Sequence, residues 1–322
     1  MRPLVLINDI HADTRTPSGR RDDWWAAIRA KLEHVLSAAT KVNAAAILIA
    51  GDLFHAKTRV LGVWPAGTHE VVTFYLDWAR RAQSSGIRVL VIPGNHDEVF
   101  DRLDSVPRQP LGALVSSGLF IDVSYRAEVF DGWCVSGVPY PDALSLSNLQ
   151  RVPAAPAGTV GVLMLHCFAE KRATEFFGDP VHAYGEVTVP GYRVFHYGHD
   201  HSDHGVVEVG DTRHVQVGAL GRGSLSGEEV HRRPQLVVVD ASSALTVQPY
   251  ALRVAPAEDV FDFEAKARRD AESSVVADFV THLDALSSNV DDSLAVQIGA
   301  LELPADIFKR VEGYIQRAEQ EN

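Results

Sequence analysis

The stretch Gly94-Asn95-His96-Asp97 constrains this chain more than any other, because it follows directly on the apolar run 87–92. An unbroken apolar run reads as a strand buried on both faces, and the polar residues after it are delivered at its carboxy-terminal tip. Four further runs end the same way. Residues 4–7 lead to Asp9 and His11, 45–50 to Asp52, 160–165 to His166, and 192–197 to His199 and His201. Strands that all finish in oxygen and nitrogen donors predict a metal site.

The spacing within each tip supports this. Asp9 and His11 stand two apart, as do His199 and His201, and that spacing puts both side chains on one face of extended chain. Gly51 frees the backbone to turn before Asp52, whose carboxylate can be shared between two cations, and His55 follows one short turn later. In the 94–97 loop Asn95 offers a neutral amide oxygen, His96 can face a reacting group, and Asp97 or Glu98 can orient it. The donor set is Asp9, His11, Asp52, Asn95, His166, His199 and His201, with His196 and His204 read as structural or solvent-facing neighbours. Hard oxygens mixed with imidazoles, and no cysteine, suit two divalent ions, manganese first with iron or zinc as the other candidates. Two cations roughly 3.5–4 Å apart can clamp a phosphoryl oxygen, activate water and offset the charge of an in-line displacement.

Between the tips the pattern is that of alternating strands and helices. Trp25, Ile28, Leu32, Val35 and Leu36 follow helical spacing within 22–42, and a second helix over 69–82 returns the chain to the strand 87–92. That is a β-α-β crossover and so a parallel pair. A short helical segment near 111–115, strands at 119–123 and 133–138, a hairpin of 206–208 with 214–217, and closing strands at 236–240 and 245–250 complete the expectation. The loop 14–21, with Arg15, Arg20 and Arg21, is either a solvated loop or a rim that contacts phosphate. Residues 167–190, with Lys171, Arg172, Phe176 and Phe177, read as a surface-packed or substrate-facing loop.

Charge does not exclude a nucleic-acid substrate. The 322 residues carry a net −12, but from Pro256 onward fifteen acidic residues face six basic ones, which leaves −3 for everything before. Affinity for DNA then needs local arginines or a partner. Cys134 and Cys167 read as reduced core residues, no apolar run approaches a membrane span, and the apolar start runs straight into Asp9 rather than into a cleavage site. A cytoplasmic protein is expected. Val275, Phe279, Val280, Leu283 and Leu286 mark one amphipathic tail helix, and Ile307, Val311, Tyr314 and Ile315 a second, with solvated or partner-docking faces.

The motif order Asp-x-His, Gly-Asp, Gly-Asn-His-Asp, His and Gly-His-x-His resembles that of the calcineurin-like metallophosphoesterase superfamily over about the first 250 residues. The resemblance implies an α/β fold: a four-layer α/β/β/α sandwich over 1–252, with the site at the strand tips and a small acidic helical appendage over 253–322. It implies one metal on Asp9, His11, Asp52 and His201 and another on Asp52, Asn95, His166 and His199, with His96 stabilising the transition state or protonating the leaving oxygen. Within the superfamily the chain looks most like the SbcD-type DNA repair nucleases and their phage recombination counterparts. Gly51-Asp52-Leu53-Phe54-His55 carries that likeness, with His55 as a second catalytic histidine, together with the short 94–97 loop and the stretch 217–224. The likeness implies a DNA exo- or endonuclease, a homodimer, and an SbcC-type, SMC-like ATPase partner on the C-terminal helices. Arg15, Arg20, Arg21, Lys57, Arg59 and Arg222 lining a continuous groove would favour DNA. A closed pocket would favour a small-molecule phosphatase or cyclic-nucleotide phosphodiesterase. A metal-free scaffold would require donors to be lost, and all seven are present.

Overall fold

The computed structural model describes residues 1–55, 62–176, 178–225 and 227–268. Lys57, Arg59 and the two amphipathic tail helices lie outside the described residues. The chain divides into two units, Met1–Asp262 and Phe263–Asn322, and of the second only the helical residues 263–268 are described. The first unit runs ten residues past 252, the boundary given with the resemblance. Its last residues are tied in by a hydrogen bond from the Arg21 amide to the Val260 carbonyl and by a bridge between Arg20 and Phe261.

The first half of the chain alternates strand and helix: β1 (Leu4–Ile7), α1 (Trp24–Lys41), β2 (Ala46–Ala50), α2 (Thr68–Ser84), β3 (Arg88–Ile92), α3 (Pro110–Ser116) and β4 (Phe120–Asp122). The second half is mostly strand: β5 (Glu128–Phe130), β6 (Trp133–Val138), β7 (Val160–His166), β8 (Phe168–Glu170), β9 (Thr174–Phe176), β10 (Asp179–Ala183), β11 (Tyr192–Gly198), β12 (Asp203–Val209) and β13 (Thr212–Val217). It ends with α4 (Gly227–His231), β14 (Gln235–Asp240), β15 (Thr246–Ala251) and α5 (Ala257–Val260). Two six-stranded sheets result, ordered β15-β14-β1-β2-β3-β4 and β12-β13-β11-β7-β6-β5. Strands β1 to β4 are mutually parallel, as are β6, β7, β11 and β13, and the antiparallel strands lie at the edges or, in β14, beside one.

The runs are mostly apolar because both faces of each central strand are covered. Leu4, Leu6, Leu48, Leu90 and Ile92 point between the sheets against Val162, Met164, Val194 and Val215. Val5, Ile7, Ile47, Ile49, Val89 and Val91 point outward under Ile28, Leu32, Tyr75 and Trp78 of α1 and α2. Full burial of each such side chain contributes about 1.5–3 kcal/mol, so the strand positions are fixed by many small gains rather than by one. Helix α1 starts where Asp23 accepts from the Ala26 amide at 2.9 Å, an N-cap that the sequence carries one residue before Trp24.

The sandwich is the α/β fold expected, and its fourth layer is built of short turns. Leu163, Leu165, Phe195 and Tyr197 on the outer face of the second sheet are covered by Leu149, Val152, Tyr184 and Val187. Those residues stand on or beside the short 3-10 turns Leu146–Arg151 and Tyr184–Glu186, not on an α-helix. Residues 167–190 are not one loop either. Three short strands within them form a sheet ordered β8-β10-β9, each too short to show a period of two. Among the described residues no helix is long and apolar enough to cross a membrane.

Candidate metal centre

All five chemistry-bearing tips leave the carboxy ends of parallel strands, β1, β2 and β3 of one sheet and β7 and β11 of the other, and they meet at one end of the sandwich. Parallel strands must release their side chains at one end, which is why five separate segments converge. The backbone is strained where it turns: Asp9, His11, Asp52 and His199 all hold left-handed conformations, with φ of 46°, 48°, 50° and 86°. Non-glycine residues keep such angles only when the surroundings over-determine them, and such residues cluster at working sites. Two glycines are required by the crowding. A Cβ on Gly51, itself at φ 90°, would lie 2.2 Å from the His166 ring, and one on Gly94 would lie 2.2 Å from Asp52 Oδ1.

The donor atoms fall into two sets that share Asp52. On one side His11 Nε2 lies 2.9 Å from His201 Nε2 and 3.4 Å from Asp52 Oδ2. Asp9 joins His11 and His201 within 4.8 Å. On the other side Asn95 Oδ1 lies 3.1 Å from His166 Nε2 and 3.1 Å from His199 Nδ1, while His166 Nε2 is 3.6 Å from the same Asp52 oxygen. Donors held at about 2.1 Å around one cation sit roughly 3.0–3.4 Å apart, so these separations fit two ions bridged by one carboxylate.

Hydrogen bonds fix which nitrogen is left to donate a lone pair. His166 Nδ1 donates to the Ala50 carbonyl at 2.8 Å, which turns Nε2 toward Asp52 and Asn95. His199 Nε2 faces Asp179 Oδ2 at 3.3 Å, which turns the Nδ1 lone pair inward. A carboxylate or carbonyl behind a ligating imidazole is the usual way to lock its tautomer. Asp9 accepts from the His199 amide at 3.0 and 3.1 Å and from Asn8 Nδ2 at 2.6 Å, so it ties the β1 tip to the β11 tip.

The electrostatics ask for positive charge here. Asp9, Asp52 and His166 are at most 2 % exposed. Burial pushes the Asp9 carboxyl up and the His11 imidazole well down. Burial also raises Asp52, but the neighbouring imidazoles, His166 first, hold it well below the usual carboxylate range. His166, pushed down by burial, is drawn up to about 9 by Asp52 and Asp9. Two adjacent buried carboxylates need a cation between them, and the residues present fit a pair of divalent ions.

His96 stands at the rim beside this set. Its amide donates to Asp52 Oδ1 at 2.8 Å, its ring Nδ1 donates to the His55 carbonyl at 2.5 Å, and a ring nitrogen lies within 4.8 Å of the His11 and His55 rings' donor atoms. The His55 and His96 rings stack at 5.7 Å, and both lie edge-on to His11. Asp97 does not orient His96. It is buried and accepts from the Leu53, Phe54 and Gly94 amides at 3.0–3.3 Å, so it clamps the two loops together. Adjacency in sequence suggests Asp97 or Glu98 as a partner for His96, but the Asp97 carboxylate is taken up by these three amides.

The arginines expected on a substrate rim separate into different places. Arg20 and Arg222 are buried at 8 % and 4 % exposure. Arg20 is held by Asp22 and the Arg222 carbonyl, and Arg222 by the Val230 and Ala255 carbonyls at 3.0 and 2.7 Å. Both point into the fold, away from any rim. Arg21 is exposed and bonded to the Glu258 carbonyl. Arg15 pairs with Asp13 at 2.7 Å, and its charge reaches His55.

Two residues of the site carry no mark in the sequence. Asp179 lies far from every motif, and nothing in its sequence context singles it out. Trp24 has the spacing of a packing residue, yet its Nε1 donates to the His11 carbonyl at 3.2 Å and its ring lines a pocket of about 200 Å³ with Asp9, His11, His55 and His201.

No curated protein matches the chain. Among solved structures, a dimetal phosphatase from Danio rerio is 10 % identical over 77 % of this chain and 96 % of its own, with a TM-score of 0.46. Yfce, a phosphoesterase from E. coli, is 15 % identical over 78 % of this chain and 100 % of its own, with a TM-score of 0.32. The profile of the calcineurin-like phosphoesterases matches residues 2–203, which takes in the whole donor set, from Asp9 to His201. The two-set arrangement of donors thus has its explanation in descent as well as in geometry: the chain belongs to the calcineurin-like phosphoesterase family and is a dimetal phosphoesterase.

Proposed function

We propose that this chain is a phosphodiester hydrolase acting on DNA, an SbcD-like exo- or endonuclease of repair or recombination. The observation that carries the reading is the His55–His96 pair at the rim of the donor set. Two divalent cations bound by the seven donors, with manganese the best match to that donor chemistry, would offset phosphoryl charge and lower the pKa of an attacking water. The chain itself supplies the rest. Asp52 fixes the position of the His96 amide and the His55 carbonyl fixes its ring, so that Nε2 would hydrogen-bond a phosphoryl oxygen or, when protonated, give its proton to the leaving oxygen. Phe168, 4.3 Å from the His199 ring, and the half-exposed Phe176, 5.2 Å from Phe168, form an aromatic lip on which an unstacked base can lie.

A homodimer, an SbcC-type ATPase partner and a cytoplasmic location belong to the same reading and rest on the motif resemblance alone. A small phosphodiester or phosphomonoester is the second reading. It is favoured by the compact pocket under Trp24 and by the burial of Arg20 and Arg222, which takes both away from a DNA groove. Incubating pure protein and manganese with linear duplex DNA, and separately with a panel of phosphomonoesters, decides between them. DNA cutting is the expected result; phosphate release without DNA cutting supports the second reading.

A further inference from the structure

Helix α1 buries a lysine that the phosphoesterase chemistry does not use. Lys31 sits on the inward face of the helix at 6 % exposure, and among the described residues no hydrogen-bond acceptor reaches its ammonium group. It lines a cavity of about 270 Å³ with Arg20, Asp22, Arg222 and, at the mouth, Arg253 and His34. Three nine-tenths buried cationic side chains, Arg20, Lys31 and Arg222, thus face one space with a single lining carboxylate, Asp22. Asp22 is already committed to Arg20 at 2.7 and 2.9 Å. Arg232, close by, is paired with Glu229 at 2.7 Å and brings no spare negative charge.

The cluster is rigid. Arg20 lies over the Trp24 ring at 4.7 Å and over Phe261 at 5.6 Å, and Arg222 over Phe261 at 5.5 Å. Lys31 Nζ stands 6.0 Å from the Trp24 ring. Guanidinium groups held in place by stacking and carbonyl bonds keep their positive field while losing little further entropy when an anion arrives. A second, wider cavity of about 750 Å³ shares Arg222 and Arg253 and adds Arg232 and Arg233 against one carboxylate, Glu258. A phosphate in the inner cavity therefore has room outside it for the remainder of a small molecule, again against cationic side chains.

We propose that the cavity under α1 binds the phosphate group of a small anionic ligand, such as a mononucleotide, at a site separate from the dimetal centre. Lys31 supplies the uncommitted ammonium, Arg20 and Arg222 supply the fixed field, and Arg253 closes the mouth. Trp24 separates the two places: its ring lines the pocket beside His11, and its other neighbours are Arg20 and Lys31. The proposal does not depend on DNA being the substrate.

The test is isothermal titration of inorganic phosphate, and separately of a deoxynucleoside 5′-monophosphate, into the manganese-loaded full chain and the same protein after chelation. Phosphate bound at the dimetal centre is lost on chelation, and phosphate bound under α1 is retained. Lys31→Met should weaken the chelation-resistant binding by roughly tenfold or more, the scale of one charge-assisted hydrogen bond. Arg253→Gln, at an exposed position, should weaken it by a smaller factor and serves if Lys31→Met does not fold. Circular dichroism checks that both variants are folded. Absence of any chelation-resistant binding overturns the proposal, as does unchanged binding in both variants.

Discussion

The ring Nδ1 of His96 donates to the main-chain carbonyl of His55 at 2.5 Å, so the second loop of the site sets the tautomer of the histidine on the third. The bond comes from the His55 backbone, so it survives replacement of the His55 side chain. His96→Ala should retain metal binding and lower turnover by about 10²–10⁴-fold if the ring handles the leaving oxygen. Metal content and steady-state rate measured together check this; equal loss of both refutes the role. His55→Ala should keep the His96 ring in place and impair DNA cleavage more than cleavage of a simple chromogenic phosphodiester. An identical defect on both substrates counts against a DNA-specific role for the ring.

Asp179 faces His199 Nε2 from β10, on the side away from the donor set. Asp179→Ala removes the group that keeps the Nδ1 lone pair directed inward, and should lower affinity at the Asn95 side by about 10–100-fold. Competition with a chelator reads the affinity. A variant that binds two equivalents as tightly as the native chain would show the contact to be incidental.

Gly94 has no room for a side chain: an added Cβ would lie 2.2 Å from Asp52 Oδ1 and 2.6 Å from His166 Cε1. Gly94→Ala should cost about 1–3 kcal/mol in urea unfolding, the scale of overpacking, and should also displace the bridging carboxylate and reduce bound metal. A stable variant with full metal content would contradict the packing described.

How far the site is legible in the chain depends on what each residue answers to. The seven donors follow closely on mostly apolar runs, and the two-sided burial that makes those runs apolar also sends their tips to one end. Asp179 and Trp24 answer to no such pattern. Their roles arise from contacts at sequence separations of 20 and 13, and local sequence carries no trace of them. Arg20, Arg222 and Asp97 depart from expectation for the opposite reason. Composition marks arginine and aspartate as surface or catalytic groups, whereas here carbonyls, amides and aromatic rings solvate them internally.

Lys31 gives the fold a pH dependence of known sign. Burial first, then Arg20 and Arg222, with Arg232 adding and Asp22 opposing, bring its ammonium from 10.5 down to about 7. Between those values the unfolded chain holds a proton that the folded chain has lost, so stability rises with pH across about 7 to 10.5, and the full penalty applies below 7. In phosphate-free buffer, Lys31→Met should raise stability at pH 7 by on the order of 2 kcal/mol and should gain less than the native chain between pH 7 and pH 9. Urea midpoints at the two pH values test this; a larger gain in the variant has the wrong sign.

Metal stoichiometry of the purified chain tests the central claim most directly, that Asp52 is shared between two sets of donors. Titrated with manganese, the native chain should take up two equivalents, and Asp52→Asn should lose paired binding together with all hydrolysis of phosphodiesters. One equivalent or none in the native chain, or two in the variant, would contradict the bridged pair.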